Sequence, residues 1–104
     1  MSNKQHLLKK IEQNKITVGI IGLGYVGLPL AVCFAKAGIE VVGFEISEEK
    51  VAKINAAKNY INDVSNEDLT EVIELGIFKA TSDFSILDMC NAILICVPTP
   101  LDVF

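Results

Sequence analysis

The sequence of 104 residues has no basic surplus, a single histidine and only three cysteines. Thirteen acidic side chains against nine basic ones leave a formal charge of −4. No basic stripe is available to neutralise a phosphate backbone, which argues against nucleic acid as a partner. Cys33, Cys90 and Cys96 are odd in number and form no CxxC pair, which argues against a disulfide framework and against a zinc site. Each lies in apolar or helical context, so buried reduced thiols are expected, and with them a cytoplasmic location. His6 has no partner in the pattern and reads as a solvated side chain. The opening stretch, MSNKQHLLKKIEQNK, lacks an apolar run and a small-residue cleavage site, so no secretory signal is expected.

What is abundant is apolar character. The chain is 51% hydrophobic and 21% charged, a composition suited to one buried globular core. From Ile16 to Ala35 it runs for 20 residues without a charge. A run of about 20 apolar residues can cross a bilayer. Here, however, a spanning helix would have to absorb Gly19, Gly22, Gly24, Gly27 and Pro29. Glycine costs about 1 kcal/mol and proline about 3 kcal/mol inside a helix. The stretch divides more cheaply into a strand, a turn and a helix with Pro29 in its first turn.

The remaining pattern alternates in the same way. Leu7, Leu8 and Ile11 suggest a short amphipathic helix over 1–14, with too small an apolar face to hold a membrane surface. Residues 15–104 then form the main unit. Ile16–Ile21 reads as a buried parallel strand ending at Gly22. The helix that follows can turn Leu28, Leu30, Ala31, Phe34 and Ala35 inward and stop at Gly38. Glu40–Ile46 is a second strand, with Ser47 as N-cap of a helix carrying Val51, Ile54 and Ala57 inward. Ser65 and Asp68 resemble a capping box, opening a helix with Leu69, Val72 and Ile73 inward. Ile77–Thr81 is a third strand, DFSILDMC a short helical turn, and Ala92–Pro98 a fourth strand apolar on both faces. Such alternation predicts an α/β fold: a parallel sheet of about four strands in the order 3-2-1-4, with helices over both faces.

Gly22, Gly24 and Gly27 make a GxGxxG turn between the first strand and its helix. Gly22 permits the tight turn, Gly24 lets backbone approach a pyrophosphate, and Gly27 lets the helix close on the strand. Free N–H groups at the helix start then face the phosphates, with Leu23, Tyr25 and Val26 completing the turn. Glu45 ends the second strand 18 residues after Gly27, where an acid accepts bonds from ribose hydroxyls and repels a 2′-phosphate. It therefore favours NAD over NADP; the bland reading is an exposed strand-end charge. Lys50 could lean over the ribose or phosphate region, or stand in solvent. Val97, Pro98 and Thr99 leave the fourth strand at the same sheet edge, where two prolines would hold Thr99 rigidly toward a ligand or simply stiffen a loop exit.

Together VGIIGLGYVGLPLA, GFEISEEKVAKIN, YINDV, ATSDFS and ICVPTPL resemble the amino-terminal part of the UDP-glucose/GDP-mannose dehydrogenase family, most closely its UDP-N-acetylhexosamine 6-dehydrogenase branch. The resemblance runs from about Leu7 to Val103. It implies a truncated, Rossmann-like NAD-binding portion of an enzyme that oxidises a sugar C6 alcohol to a carboxylate. It further implies that Gly22–Gly27 hold the pyrophosphate, Glu45 the ribose, Lys50 the neighbouring ribose-phosphate region and Thr99 the cofactor near the fourth strand. The family usually has aspartate where this chain has Glu45. Family members are several times longer, and their catalytic cysteine, lysine and asparagine lie downstream; none of Cys33, Cys90 and Cys96 matches the nucleophile's motif. No catalytic or metal-ligating residue is therefore expected in this chain. The UDP-sugar would be a partner only of a longer parent protein, and the edge of the fourth strand invites self-association. A stand-alone, non-catalytic NAD-sensing module is the other reading. A β-hydroxyacid dehydrogenase would share the glycine turn but fits YVGLP and VPTP less well.

Overall fold

The structure is a computed structural model and describes residues 16–96; the expected helix over 1–14 and the Val97–Thr99 segment lie outside them. Four strands, β1 (Thr17–Ile21), β2 (Glu40–Phe44), β3 (Phe78–Thr81) and β4 (Ala92–Ile95), form one parallel sheet in the order β3-β2-β1-β4. Three α-helices, α1 (Gly27–Lys36), α2 (Glu48–Asn55) and α3 (Asn66–Glu74), connect β1 to β2 and β2 to β3. A 3-10 helix at Phe84–Met89 makes the crossing to β4. The strand order is the one expected. The second and fourth strands are shorter than expected, ending at Phe44 and Ile95.

Strand alternation sorts the sheet into two faces. Val18 and Ile20 of β1, Val41 of β2, and Phe78 and Ala80 of β3 point to the helices and share a core with Leu28, Ala31, Val32, Ala35, Ile54, Leu69 and Val72. Burial of side chains this size contributes about 1.5–3 kcal/mol each, before the entropy of ordering the chain is charged against it. The α-helices lie on this face together, α1 touching α3 and α3 touching α2. The opposite face, where Val42 and Phe44 lie, carries the 3-10 helix: Phe84 packs on Phe44 with ring centres 5.6 Å apart. Coverage of the two faces is thus unequal, and β4, at the edge, is exposed along its length, Ile95 being 69% exposed.

Helical phase corrects two expectations. The buried face of α1 is Leu28, Ala31, Val32 and Ala35, with Leu30 and Phe34 half-buried at its border. Val32 lies four residues from Leu28 and three from Ala35, on the same stripe. Cys33, one step further round, faces solvent, and Cys90 and Cys96 are half-buried, so the expectation of three buried thiols fails. All three thiols are free. Among the described residues no helix is long and apolar enough to cross a membrane, and no cluster of metal-ligating side chains is present.

Local chemistry fixes the remaining joints. Ser47 Oγ accepts the Lys50 N–H at 3.3 Å and Ser65 Oγ the Asp68 N–H at 3.0 Å, capping α2 and α3 as expected. Asp68 also pairs with Lys36 of α1 at 2.7 Å; that contact holds the lysine above and the carboxyl below its ordinary pKa. At the outer edge of β3, the Asn55 side-chain amide both donates to the Ala80 carbonyl and accepts the Ala80 N–H, each at 2.9 Å.

Candidate functional site

The chain leaves β1 at the sheet's carboxyl edge and turns through Gly22, whose φ of 92° lies in the region that favours glycine. The Gly22 N–H still belongs to the sheet, donating to the Phe44 carbonyl at 2.8 Å. Five residues on, Gly27 begins α1 so close to the turn that a Cβ there would stand 1.7 Å from the Gly22 carbonyl oxygen. No side chain fits. These two glycines answer demands made by the protein itself.

Gly24 answers none. A Cβ at this position would meet nothing within 4 Å, and its φ is not left-handed. The only space a side chain would fill is the open space in front of the turn. The N–H groups of Gly24, Tyr25, Val26 and Gly27 find no acceptor among the described residues, while the next, Leu28, bonds to the Gly24 carbonyl at 3.1 Å. The helix start offers no substitute. Val26, at the N-cap, has helical backbone and no capping side chain, and the first turn of α1 has no acid. Four donors at the positive end of a helix are therefore left without an acceptor among the described residues. Tyr25 and Val26 flank them, 80% and 66% exposed.

Glu45 follows β2 at the same edge. Its carboxylate accepts the Leu23 N–H at 3.2 Å through one oxygen and the Ser47 N–H at 2.9 Å through the other. It is half-buried and tied to the glycine turn, which departs from the bland picture of a free strand-end charge. A carboxylate offers about four lone-pair positions, so two remain for a ligand's hydroxyls. Lys50, in the first turn of α2, is exposed and places its Nζ 5.8 Å from the Tyr60 ring centre, within reach of a cation–π attraction. Val97, Pro98 and Thr99 lie outside the described residues, so their expected place beside the turn has no structural counterpart here.

Two participants escaped the sequence reading. Gly43 of β2 leaves room for the Leu23 side chain; a Cβ there would come within 2.6 Å of Leu23 Cδ1. Tyr60, in the loop between α2 and α3, donates its hydroxyl to the Leu23 carbonyl at 2.6 Å. Burial, and secondarily the Glu45 charge, push this phenol up to about 12, so it stays a neutral donor throughout the physiological range. The one available signal was a lone tyrosine inside the polar run NYINDV.

A parallel strand, a glycine turn, an uncapped helix start and an acid closing the next strand define a dinucleotide-binding α/β unit of the doubly wound class. The chain belongs to the UDP-glucose/GDP-mannose dehydrogenase family: the model of that family's NAD-binding domain matches residues 16–103. It is 41% identical over 85 residues to UDP-N-acetyl-D-mannosamine dehydrogenase of Pyrococcus horikoshii, covering 81% of this chain and 20% of that protein. It is 36% identical over 91 residues to UDP-N-acetyl-D-glucosamine 6-dehydrogenase of Salmonella typhi, covering 88% and 20%. Among solved structures, NDP-N-acetyl-D-galactosaminuronic acid dehydrogenase of Methanosarcina mazei superposes with a TM-score of 0.75 at 32% identity, over 96% of this chain and 23% of that one. The chain thus spans about a fifth of the length of the curated relatives it matches.

Proposed function

We propose that this chain holds NAD along the carboxyl edge of its sheet, as the cofactor-binding portion of a nucleotide-sugar 6-dehydrogenase acting on a UDP-N-acetylhexosamine. The observation that carries the proposal is the row of four N–H groups that have no acceptor among the described residues, at an uncapped helix start beside a glycine that the protein's own packing does not require. Phosphate oxygens would complete those donors. Glu45 would take the adenosine ribose hydroxyls on its remaining lone pairs while still bracing the turn, and Lys50 would stand over the ribose-phosphate region. Tyr25 and Val26 would lie against the cofactor, and Val97, Pro98 and Thr99 are proposed for its far side. In the parent activity, two hydrides pass from the sugar C6 to two NAD molecules in succession, and water supplies the second carboxylate oxygen. The relatives' names support that reading, and a cytoplasmic setting agrees with the free thiols.

The test is a titration of this chain with NAD and with NADP, beside Glu45→Ala. NAD is expected to bind more tightly than NADP, and the substitution is expected to erase the difference. Equal binding of both by the unmodified chain would sink the ribose assignment. No turnover of a UDP-sugar is expected from these 104 residues, because no residue of the chain is assigned a catalytic role.

Ile93 and Ile95 point to the sparsely covered face of the edge strand and are 44% and 69% exposed. Self-association through this edge belongs to the proposal. Light scattering over a concentration series should show it, and a monodisperse monomer throughout would remove it. That edge is also what a stand-alone NAD-sensing module would offer a partner.

A further inference from the structure

We propose that Tyr60 is a positioning residue for the phosphate-binding turn: by holding the Leu23 carbonyl inward, it aims the Gly24 N–H outward at a bound pyrophosphate. The inference rests on the reading of the turn as an NAD site and adds a residue, distant in sequence, that sets its geometry.

One peptide plane, between Leu23 and Gly24, joins the two groups. No peptide bond among the described residues is cis, so in the unit joining Leu23 to Gly24 the carbonyl and the N–H point in opposite directions. Fixing one end of this plane fixes the other. The Tyr60 hydroxyl takes the carbonyl end at 2.6 Å. Leu23 is otherwise pinned twice: its N–H bonds to Glu45 Oε1 at 3.2 Å, and its side chain is fully buried over Gly43. Gly24, the next residue, has no side chain and no neighbour where a Cβ would stand. The boundary between a clamped residue and an unsupported one therefore falls on this peptide. Without the Tyr60 bond, glycine's conformational freedom leaves the plane free to rotate and the Gly24 donor without a fixed direction.

Tyr60 is itself held for this task. Asn59 Oδ1 accepts the Ile61 N–H at 2.9 Å, and the Asn59 amide donates to the Val64 carbonyl, closing the loop on either side of the tyrosine. Lys50 lies over the ring. The hydroxyl thus reaches Leu23 from a braced loop 37 residues away, and a ligand meets a donor already oriented.

The experiment is an NMR titration of the isotopically labelled chain and of Tyr60→Phe, each with ADP and with adenosine. The substitution keeps the ring, its packing and its contact with Lys50, and removes only the donor. ADP affinity is expected to fall about three- to tenfold, the range for one hydrogen bond, while adenosine affinity stays the same. In the unmodified chain the Gly24 amide should be among the resonances most displaced by ADP. In the ligand-free variant the Leu23 carbonyl carbon should shift relative to the unmodified chain. Unchanged ADP affinity in Tyr60→Phe overturns the inference, and so does an equal fall for ADP and adenosine, which would mark general loosening. An unmoved Gly24 amide at saturating ADP overturns it without recourse to the variant. If the unmodified chain binds neither ligand, the NAD reading itself falls and takes this inference with it. That outcome is distinct from an intact site indifferent to Tyr60.

Discussion

The three α-helix starts among the described residues are built in two ways. At α2 and α3 a serine with extended backbone caps the first turn, and two acids follow it: Glu48 and Glu49 in one, Glu67 and Asp68 in the other. At α1 the corresponding residue is Val26, with helical backbone and no capping oxygen, and the first turn has no acid. Only the first has no capping side chain. Each serine gives one first-turn N–H an acceptor, whereas at α1 the N–H groups of Val26 and Gly27 have none among the described residues. An unfilled helix start next to a turn that has no packing use for its middle glycine identifies a ligand position by what the protein withholds.

The contrast can be broken by giving α1 the charge it lacks. Val26→Asp places a carboxylate at the donors, on a side chain exposed enough to be changed freely. NAD affinity should drop at least about tenfold, equivalent to about 1.4 kcal/mol. The urea midpoint should hold or rise slightly, since an acid at a helix start is worth about 0.3–1 kcal/mol. Undiminished NAD binding would show that the phosphates lie elsewhere. The reverse manipulation sharpens the comparison. Ser65→Ala removes a cap that the fold uses and should cost about 1 kcal/mol in urea denaturation, with NAD affinity unchanged. Ser47→Ala should cost less, because its bond to the Lys50 N–H is longer, 3.3 Å against 3.0 Å. If the alanine variants at 47 and 65 weakened cofactor binding as much as Val26→Asp, the division between structural and functional helix starts would fail.

Much of this was legible in the sequence. Four apolar runs, each closed by a turn residue, announced the strands, and the parallel order followed from helices between them. Ser47 and Ser65 announced their caps because an N-cap is a local device, settled within three residues. GxGxxG was legible for the same reason. What could not be read was set by contacts across the fold. The expected inward face of α1 included Leu30 and Phe34 and left out Val32, because hydrophobicity alone does not set the helix's phase against a sheet. Cys33 was expected inside on composition and lies outside on phase. β4 reads as a strand apolar on both faces with an open edge, and it is exposed along its length. Glu45 was placed correctly at the end of β2, but its bonds to Leu23 and Ser47 depend on the spacing of two separate segments. Tyr60 meets Leu23 only because the loop after α2 folds back to the turn that follows β1, a return that no local pattern encodes.

The doubly bonded Asn55 amide has one more consequence. It occupies both outward-facing backbone groups of Ala80, where the peptide of a neighbouring strand would otherwise pair. A single side chain thus acts as a bookend for one flank of the sheet. Among the described residues the other flank has no such stop. Growth of this sheet, by later chain or by a second molecule, therefore has a direction, away from β3 and outward from β4.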